Sequence, residues 1–389
     1  MVTLQSAENA LKTLYLGVVS DQLNTNVNPL LAMIEKTSSD VWGKEVRKLA
    51  PYGVNGGIGA GTETGDLPSA AQNNYAQFVL TLKNLYGTIE ISDKAIRASQ
   101  NNAGAFVNLL NAEMEGLLKA SKFNFGRMLY GDGSGKLATV ESASGNDVVV
   151  DNLQNLMEGM VIDVLTAEGG STGVVSRRIV AIDRDTDTVT LSGNAVNGSV
   201  SAGNILTVQG SYNNEITGLG AIFGNSATLY GINRAANKWL SPKSFEAASG
   251  EINDITLQKA VDTLEEVSGS SVNFIVCPFG VKRAYQEYLT ANRTNVDIMN
   301  LAGGYKAISY NGIPIVSDRF APKGTMYLLN TDEFSLHQLC DWRWLEGDDG
   351  KIIKQIPGKP VYTATLVKYA DLICNKPSGQ AKITGINEK

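Results

Sequence analysis

Residues 103–130 read AGAFVNLLNAEMEGLLKASKFNFGRMLY. Phe106, Leu110, Met114, Leu117, Ser121, Phe125 and Met128 recur there at steps of three and four. Val107, Leu118 and Leu129 widen the stripe, while Asn108, Asn111, Glu115, Lys119 and Lys122 fall mostly off it. That period belongs to a half-buried helix, not to a strand. No proline interrupts it, and Gly116 and Gly126 each weaken it by only about 1 kcal/mol relative to Ala. Gly131 and the run GDGSGK (131–136) mark its end. At 1.5 Å per residue the helix makes a rod of roughly 40 Å. In a chain otherwise patterned for strands, such a rod is expected to be a spine on which sheets lie. An ordinary core helix would show the same pattern.

The whole chain is long enough for two or three domains, with 389 residues, 43% of them hydrophobic and 19% charged. Glycine is abundant (40) and proline scarce (10), so many turns and hairpins are expected. The net charge is −6 and no basic block of five or more occurs, which argues against sequence-reading of nucleic acid. An acidic container can still enclose DNA without adhering to it. Cys277, Cys340 and Cys374 are odd in number and widely spaced, so reduced thiols are expected, not a disulfide framework or a zinc site. The first residues, MVTLQSAENALK, lack the pattern of a signal peptide, and no apolar run reaches the length of a membrane span.

In chain order, residues 4–24 carry Leu4, Ala7, Leu11, Leu14, Val18 and Val19 at helical steps. Pro29 then suits the first turn of a short helix through Ile34. These helices form an arm (1–43) that needs another surface to lie on. Extended runs at Lys44–Tyr52 and Tyr75–Leu82 flank GVNGGIGAGTETGDLPSAAQNN, a glycine-rich loop too long for the inside of a compact domain. It reads as a projecting arm ordered by a partner. Ile89 and Ile91 continue the strand pattern, and Ser92-Asp93 can cap a helix DKAIRAS. After the spine, residues 136–211 change to short β runs at Val148–Val150, Met160–Leu165, Val174–Ile182, Thr188–Leu191 and Ile205–Val208, with DRDTD (183–187) as a hairpin turn. They read as an inserted β module. From Thr217 the pattern is α/β: a helix Asp254–Val267 with Ile255, Leu257, Val261, Leu264 and Val267 on one face, a buried strand VNFIV (272–276), and a helix from CPFG through Tyr288. Phe334–Leu345 and Lys351–Ile356 flank EGDDG and read as a long antiparallel hairpin. TATLVKYADLIC reads as another strand pair and PSGQAKITGI as a last strand.

No chemistry-bearing constellation emerges. His337, the single histidine, sits in a strand pattern without a second ligand at metal spacing, so a surface or partly buried strand residue is expected. GDGSGK follows a helix and its lysine precedes Leu137, so it is not a phosphate loop; it reads as a flexible exit. GGIGAG (56–61) lacks the dinucleotide spacing. Asp183, Asp185 and Asp187 resemble the start of a calcium loop, but Thr188 replaces the glycine and residue 194 is Asn, so a solvated turn is expected. Glu265-Glu266 reads as helix surface. No catalytic, cofactor-binding or metal residues are expected, and no cofactor.

The order of these parts, carried best by LYGTIEISDKAIRAS (85–99), the spine and GIPIVSDRFAPKGTMYLLN (312–330), resembles the major capsid protein of tailed bacteriophages. The resemblance implies an α+β, tailed-phage major capsid-like fold with a small all-β insertion domain. It divides the chain into an N-terminal arm (1–43), an extended loop (44–91), a peripheral domain with the spine (92–135), the inserted β domain (136–211), an axial domain (212–330), the peripheral long hairpin (331–366) and a C-terminal return to the axial domain (367–389). It implies a structural protein, not an enzyme, that self-assembles through pentamers and hexamers into the icosahedral head shell of a virion, built in the host cytoplasm through a maturing procapsid. Its partners would be copies of itself, a separate scaffolding protein unless none is needed, a portal, a decoration protein and packaged double-stranded DNA without sequence-specific binding; no membrane is implied. The β insertion is expected on the exterior. No lysine lies between Pro51 and Leu82, so a non-covalent shell is expected, without ladders on a denaturing gel. No heptad-like scaffolding run precedes the arm, so no cleaved N-terminus is expected by mass spectrometry. The alternatives are an encapsulin-like nanocompartment shell, a β-rich tail or surface adhesin, and an enzyme, the last disfavoured by the empty site census.

Overall fold

The computed structural model describes residues 28–39, 41, 45–95, 103–292, 298–300, 306–347 and 350–389. The helix expected over 4–24, the side chains of Phe106, Val107 and Leu110, and the middle of EGDDG lie outside the described residues. The spine helix spans Ala103–Met128. Met114, Leu118, Ser121, Phe125 and Met128 are buried along it, while Glu115 and Lys119 face solvent. Its partner is the strand Lys83–Ser92, whose Leu85 and Ile89 meet the helix in one core. Gly87 lies at the crossing: a Cβ there would stand 2.9 Å from Leu117 Cδ1, so a larger residue would have to displace the Leu117 side chain. Gly126 has the same role at the other end, where a Cβ would come 2.5 Å from Phe320. Asn28 caps the short helix Pro29–Met33, accepting from Leu31 N at 3.1 Å, and donates to Gly126 O at 3.4 Å. The short helix is thus pinned to the end of the spine.

The sheet under the spine is centred on one strand, Val361–Cys374. Two expectations are corrected here. TATLVKYADLIC is not a strand pair but part of this 14-residue strand, since it contains no glycine or proline to turn it and stays paired from Val361 to Cys374. Phe334–Trp344 does not pair with Lys351–Ile356 either; it pairs antiparallel with 366–374 of the long strand. The EGDDG segment does turn, with Gly347 N donating to Lys351 O at 2.8 Å, but Ile352 then dives into the core and only Lys354–Gln355 returns to a strand, also on Val361–Cys374. The division expected between 366 and 367 therefore falls inside one strand. Glu35–Thr37 pairs in parallel with Phe334–Trp344 and completes the sheet.

A second, seven-stranded sheet runs in the order Lys243–Glu246, Ala381–Thr384, Met326–Leu329, Phe274–Cys277, Ile313–Ser317, Lys306–Tyr310, Ile298–Asn300. Helices Asp254–Ser268 and Phe279–Ala291 pack on it through Leu257, Ala260, Leu264, Val281, Tyr285 and Leu289. Asn253 caps the first, accepting from Thr256 N at 2.8 Å, and Gly269 ends it in the left-handed region at φ +61°. Ile255 and Val267 do not belong to its buried face; they are 78% and 56% exposed. Ile255 sits two residues from Leu257, about 200° around the helix, so both cannot face one sheet.

Between the spine and this sheet the chain closes a six-stranded barrel, Ile205–Val208, Lys136–Ser144, Asp147–Val150, Thr188–Leu191, Arg177–Asp183, Val161–Leu165. Its own core is Val148, Val150, Ile162, Val164, Ile179, Val189 and Leu206. Closure leaves no open strand edge. The first strand, Lys136–Ser144, went unread in the sequence because Glu141, Ser142 and Ser144 dilute its apolar alternation.

Candidate assembly surface

The extended runs around the glycine-rich loop form a hairpin, Glu45–Tyr52 with Asn74–Thr81, in register from Glu45↔Thr81 to Tyr52↔Asn74. Its base is held by a small core: Val46, Ala50, Phe78 and Leu80 pack on Leu229, Tyr230, Leu240 and Ile373. Trp239 stacks on Tyr52 with ring centroids 5.1 Å apart and planes 4° from parallel, and lies 6.0 Å from Phe78. Val79 N donates to Tyr230 O at 3.0 Å.

Beyond this base, residues 53–73 project as two facing legs. Asn55 Nδ2 donates to Asn73 Oδ1 across them at 3.2 Å, and Asn55 Oδ1 accepts from Gly57 N at 2.9 Å. A Cβ on Gly57 would meet Ala71 N at 3.1 Å, and one on Gly59 would meet Pro68 at 3.3 Å. Gly57 and Gly59 of GGIGAG serve this close approach. At the tip, Gly65 N donates to Thr62 O at 3.2 Å. The arm is therefore organised, yet its large apolar side chains face water: Val54, Ile58 and Leu67 are 80%, 84% and 90% exposed. A two-stranded ribbon is marginal in water by itself, and a run of exposed apolar side chains marks a contact surface.

The turn GDGSGK is not a flexible exit. Asp132 Oδ1 accepts from Ser134 N and from Ser134 Oγ, at 2.9 and 2.5 Å, and Gly135, at φ +78°, passes so close to Ser211 O that a Cβ would stand 2.7 Å away. Behind it Arg127 and Glu215 form a buried ion pair, with Nη1–Oε2 at 2.9 Å and Nη2 on Oε1; Arg127 Nη2 also donates to Asn124 Oδ1 at 2.6 Å. Gln154 of the barrel donates to Arg319 O and, at 2.8 Å, to Ala321 O. The barrel is thus tied to the end of the spine and to the second sheet's turn, not hung on a loose linker.

His337 is fully buried, against the expectation of a surface or partly buried position, with Nε2 3.0 Å from Ser335 Oγ. It stands opposite Asp371 in the antiparallel register. Asp371 is buried as well and accepts from Thr217 N, Thr217 Oγ1 and Leu372 N at 2.6, 3.1 and 2.9 Å. Burial outweighs these bonds and pushes its carboxyl up to about 6. The folded state then holds this proton more tightly than the unfolded chain. Its contribution is full below the ordinary carboxylate range and is lost as pH rises through about 6. Between about pH 4 and pH 7, wild type is expected to lose on the order of 2 kcal/mol relative to Asp371→Asn, read from denaturation midpoints; parallel pH profiles would refute this.

Neither residue joins a metal set, and among the described residues no cluster of three or more His, Cys, Asp or Glu side chains occurs. Asp183 accepts from Asp185 N and Thr186 Oγ1 at 3.0 and 2.8 Å in an exposed turn, and these bonds hold its carboxyl below the usual range. Glu265 and Glu266 are exposed helix surface. Cys277 and Cys374 are buried and Cys340 half-buried; burial pushes the Cys277 thiol up to about 12. Sequence reasoning missed Lys368, buried and bonded to Asp341 and Gln338 at 2.6 and 2.8 Å. A signal existed, since Lys368 and Asp371 interrupt an otherwise apolar strand.

No protein-family profile matches the sequence. No curated protein matches it either. Solved structures do. A chain of the Cyanophage A-1(L) capsid asymmetric unit aligns with a TM-score of 0.56 at 13% identity, over 93% of this chain and 93% of that one. Mycobacterium phage Bobi gives 0.48 at 8% identity over 92% and 91%. The holo-SrpI encapsulin complex from Synechococcus elongatus gives 0.47 at 10% identity over 95% and 95%. The fold assignment rests on the Cyanophage chain, whose likeness covers 93% of this chain. This chain has the α+β fold of a tailed-phage major capsid protein.

Proposed function

We propose that this protein is the structural subunit of an icosahedral phage head, self-assembling into a closed shell around double-stranded DNA. The observation that carries the reading is the arm: an organised projection whose apolar side chains are exposed among the described residues. Ordering and exposing such an element is unfavourable for a free subunit and becomes favourable when a neighbour covers it. In a closed symmetric assembly many modest contacts of this kind add up. The net charge of −6 supports soluble free subunits and a lumen that does not hold DNA tightly. On this reading the spine and the sheet centred on Val361–Cys374 form the peripheral domain, the seven-stranded sheet forms the axial domain around the symmetry axes, and residues 136–211 form an outward-facing insertion. A separate scaffolding protein, a portal and a decoration protein are the partners it would meet, in the virion head and, before that, in the host cytoplasm.

Negative-stain electron microscopy of the purified protein, alone and with a co-expressed scaffolding candidate, tests the reading. Closed shells, or free pentamers and hexamers, are expected. A monomer that assembles under no condition of salt, pH or partner overturns it.

A further inference from the structure

Between the spine, the strand Lys83–Ser92 and the barrel lies a groove of about 740 Å³. Leu117 of the spine lines it, with Met157 and Met160 of the barrel, and Trp342 of the strand Phe334–Trp344 reaches it from the sheet. A mostly apolar cleft of about 300–1,000 Å³ with a few convergent polar groups is the usual form of a small-molecule site.

Two polar side chains converge here without partners. Ser121 and Trp342 are 8% and 7% exposed, and both line the groove. A buried serine inside a helix can bond back to the carbonyl four residues earlier; Ser121 does not. Among the described residues, neither Ser121 Oγ nor Trp342 Nε1 makes a hydrogen bond, the only one of Trp342's side-chain neighbours being reached through its backbone N. Burying such donors unpaired is costly, and an acceptor in the groove removes the cost. The charges of the lining decide what carries that acceptor. Lys119 and Glu158, both exposed, are opposite in sign, and the Glu215 carboxylate is already paired with Arg127. The lining thus has no net charge to select an ionic head, while an indole N–H can only donate.

We propose that the groove binds one uncharged, apolar small molecule bearing a carbonyl oxygen, its body between Leu117 and Met157 and its oxygen accepting from Trp342 Nε1 and Ser121 Oγ. This site goes beyond the shell reading and does not depend on it.

Prodan, an uncharged naphthyl ketone whose emission reports an apolar surrounding, is the probe, titrated into the full-length protein. Saturable binding of one probe per chain is expected. Gly116 lines the groove with open space where a Cβ would stand. Gly116→Trp fills that space and is expected to weaken the probe at least about tenfold. Met157→Trp, at a half-exposed position on the barrel wall, is expected to do the same. Three competitors sharing one ring system then read the chemistry. In the wild type, 2-naphthoate is expected to displace the probe at least about tenfold less well than 2-acetylnaphthalene, because its charge must be desolvated. Trp342→Phe is expected to weaken 2-acetylnaphthalene about fivefold and to leave 2-ethylnaphthalene, which has no oxygen, unchanged. Probe emission that does not saturate overturns the site. So does undiminished binding in either filling variant that melts as the wild type does. Naphthoate competing as well as the ketone in the wild type overturns the ligand class, whatever the variants do. Equal losses of the ketone and the ethyl compound in Trp342→Phe overturn the assigned donor.

Discussion

Ile58→Asp together with Leu67→Asp is expected to abolish closed shells while leaving the subunit folded. The two side chains are 84% and 90% exposed in the free chain, so charging them removes no internal contact. Surface changes of that kind usually alter stability by less than about 0.5 kcal/mol. Covered by a neighbour, each side chain would contribute about 1.5–3 kcal/mol of apolar burial, and a carboxylate in its place must also be desolvated. Losing about 4 kcal/mol per arm weakens each contact roughly a thousandfold. A shell repeats that contact at every subunit, so assembly fails even though every arm keeps its glycine-packed legs. Size-exclusion chromatography and electron microscopy read the assembly, and a thermal melt of the free subunit reads the fold. Normal shell yield from the double variant would remove the arm from the assembly contact.

Arg127→Met is expected to be the most damaging single change to the subunit itself, costing about 3–5 kcal/mol. The side chains of Arg127 and Glu215 are 3% and 2% exposed, and they join the end of the spine to the chain leaving the barrel. Removing the guanidinium leaves a carboxylate buried without its cation, and also strips Asn124 Oδ1 of its donors. The pair as a whole is a different matter, because desolvation of both ions offsets most of their attraction. Arg127→Met combined with Glu215→Leu is therefore expected to recover most of the loss. Denaturant midpoints of the three variants measure this. A single variant within about 1 kcal/mol of wild type, or a double variant as poor as the single, would show that the pair does not hold the barrel to the spine.

The arm and the ion pair differ in how far each could be read from residues alone. The arm was legible because 22 glycine-rich, nearly charge-free residues between two alternating runs have no place inside a core. What was not legible is that Gly57 and Gly59 hold the two legs against each other, which depends on residues 68–71 arriving opposite them. Arg127 stands in the last turn of the spine, where a basic residue is ordinary. Its burial depends on Glu215, separated from it in sequence by the whole barrel. His337 and Asp371 follow the same logic: each reads as a polar strand residue until the register places them side by side under the segment at Thr217.

By itself the sequence determined the local elements: the spine, the helix starting at Asp254, the short strands of the barrel and the projecting hairpin. These rest on side-chain period, caps and turn residues, which act within a few positions of each other. Only the tertiary structure decided that Phe334–Trp344 pairs with Val361–Cys374 across the EGDDG turn, and that the barrel closes through Lys136–Ser144. Strand partners are chosen by backbone hydrogen bonds and by burial between distant segments. Both are properties of the folded arrangement and leave no fixed spacing in the chain.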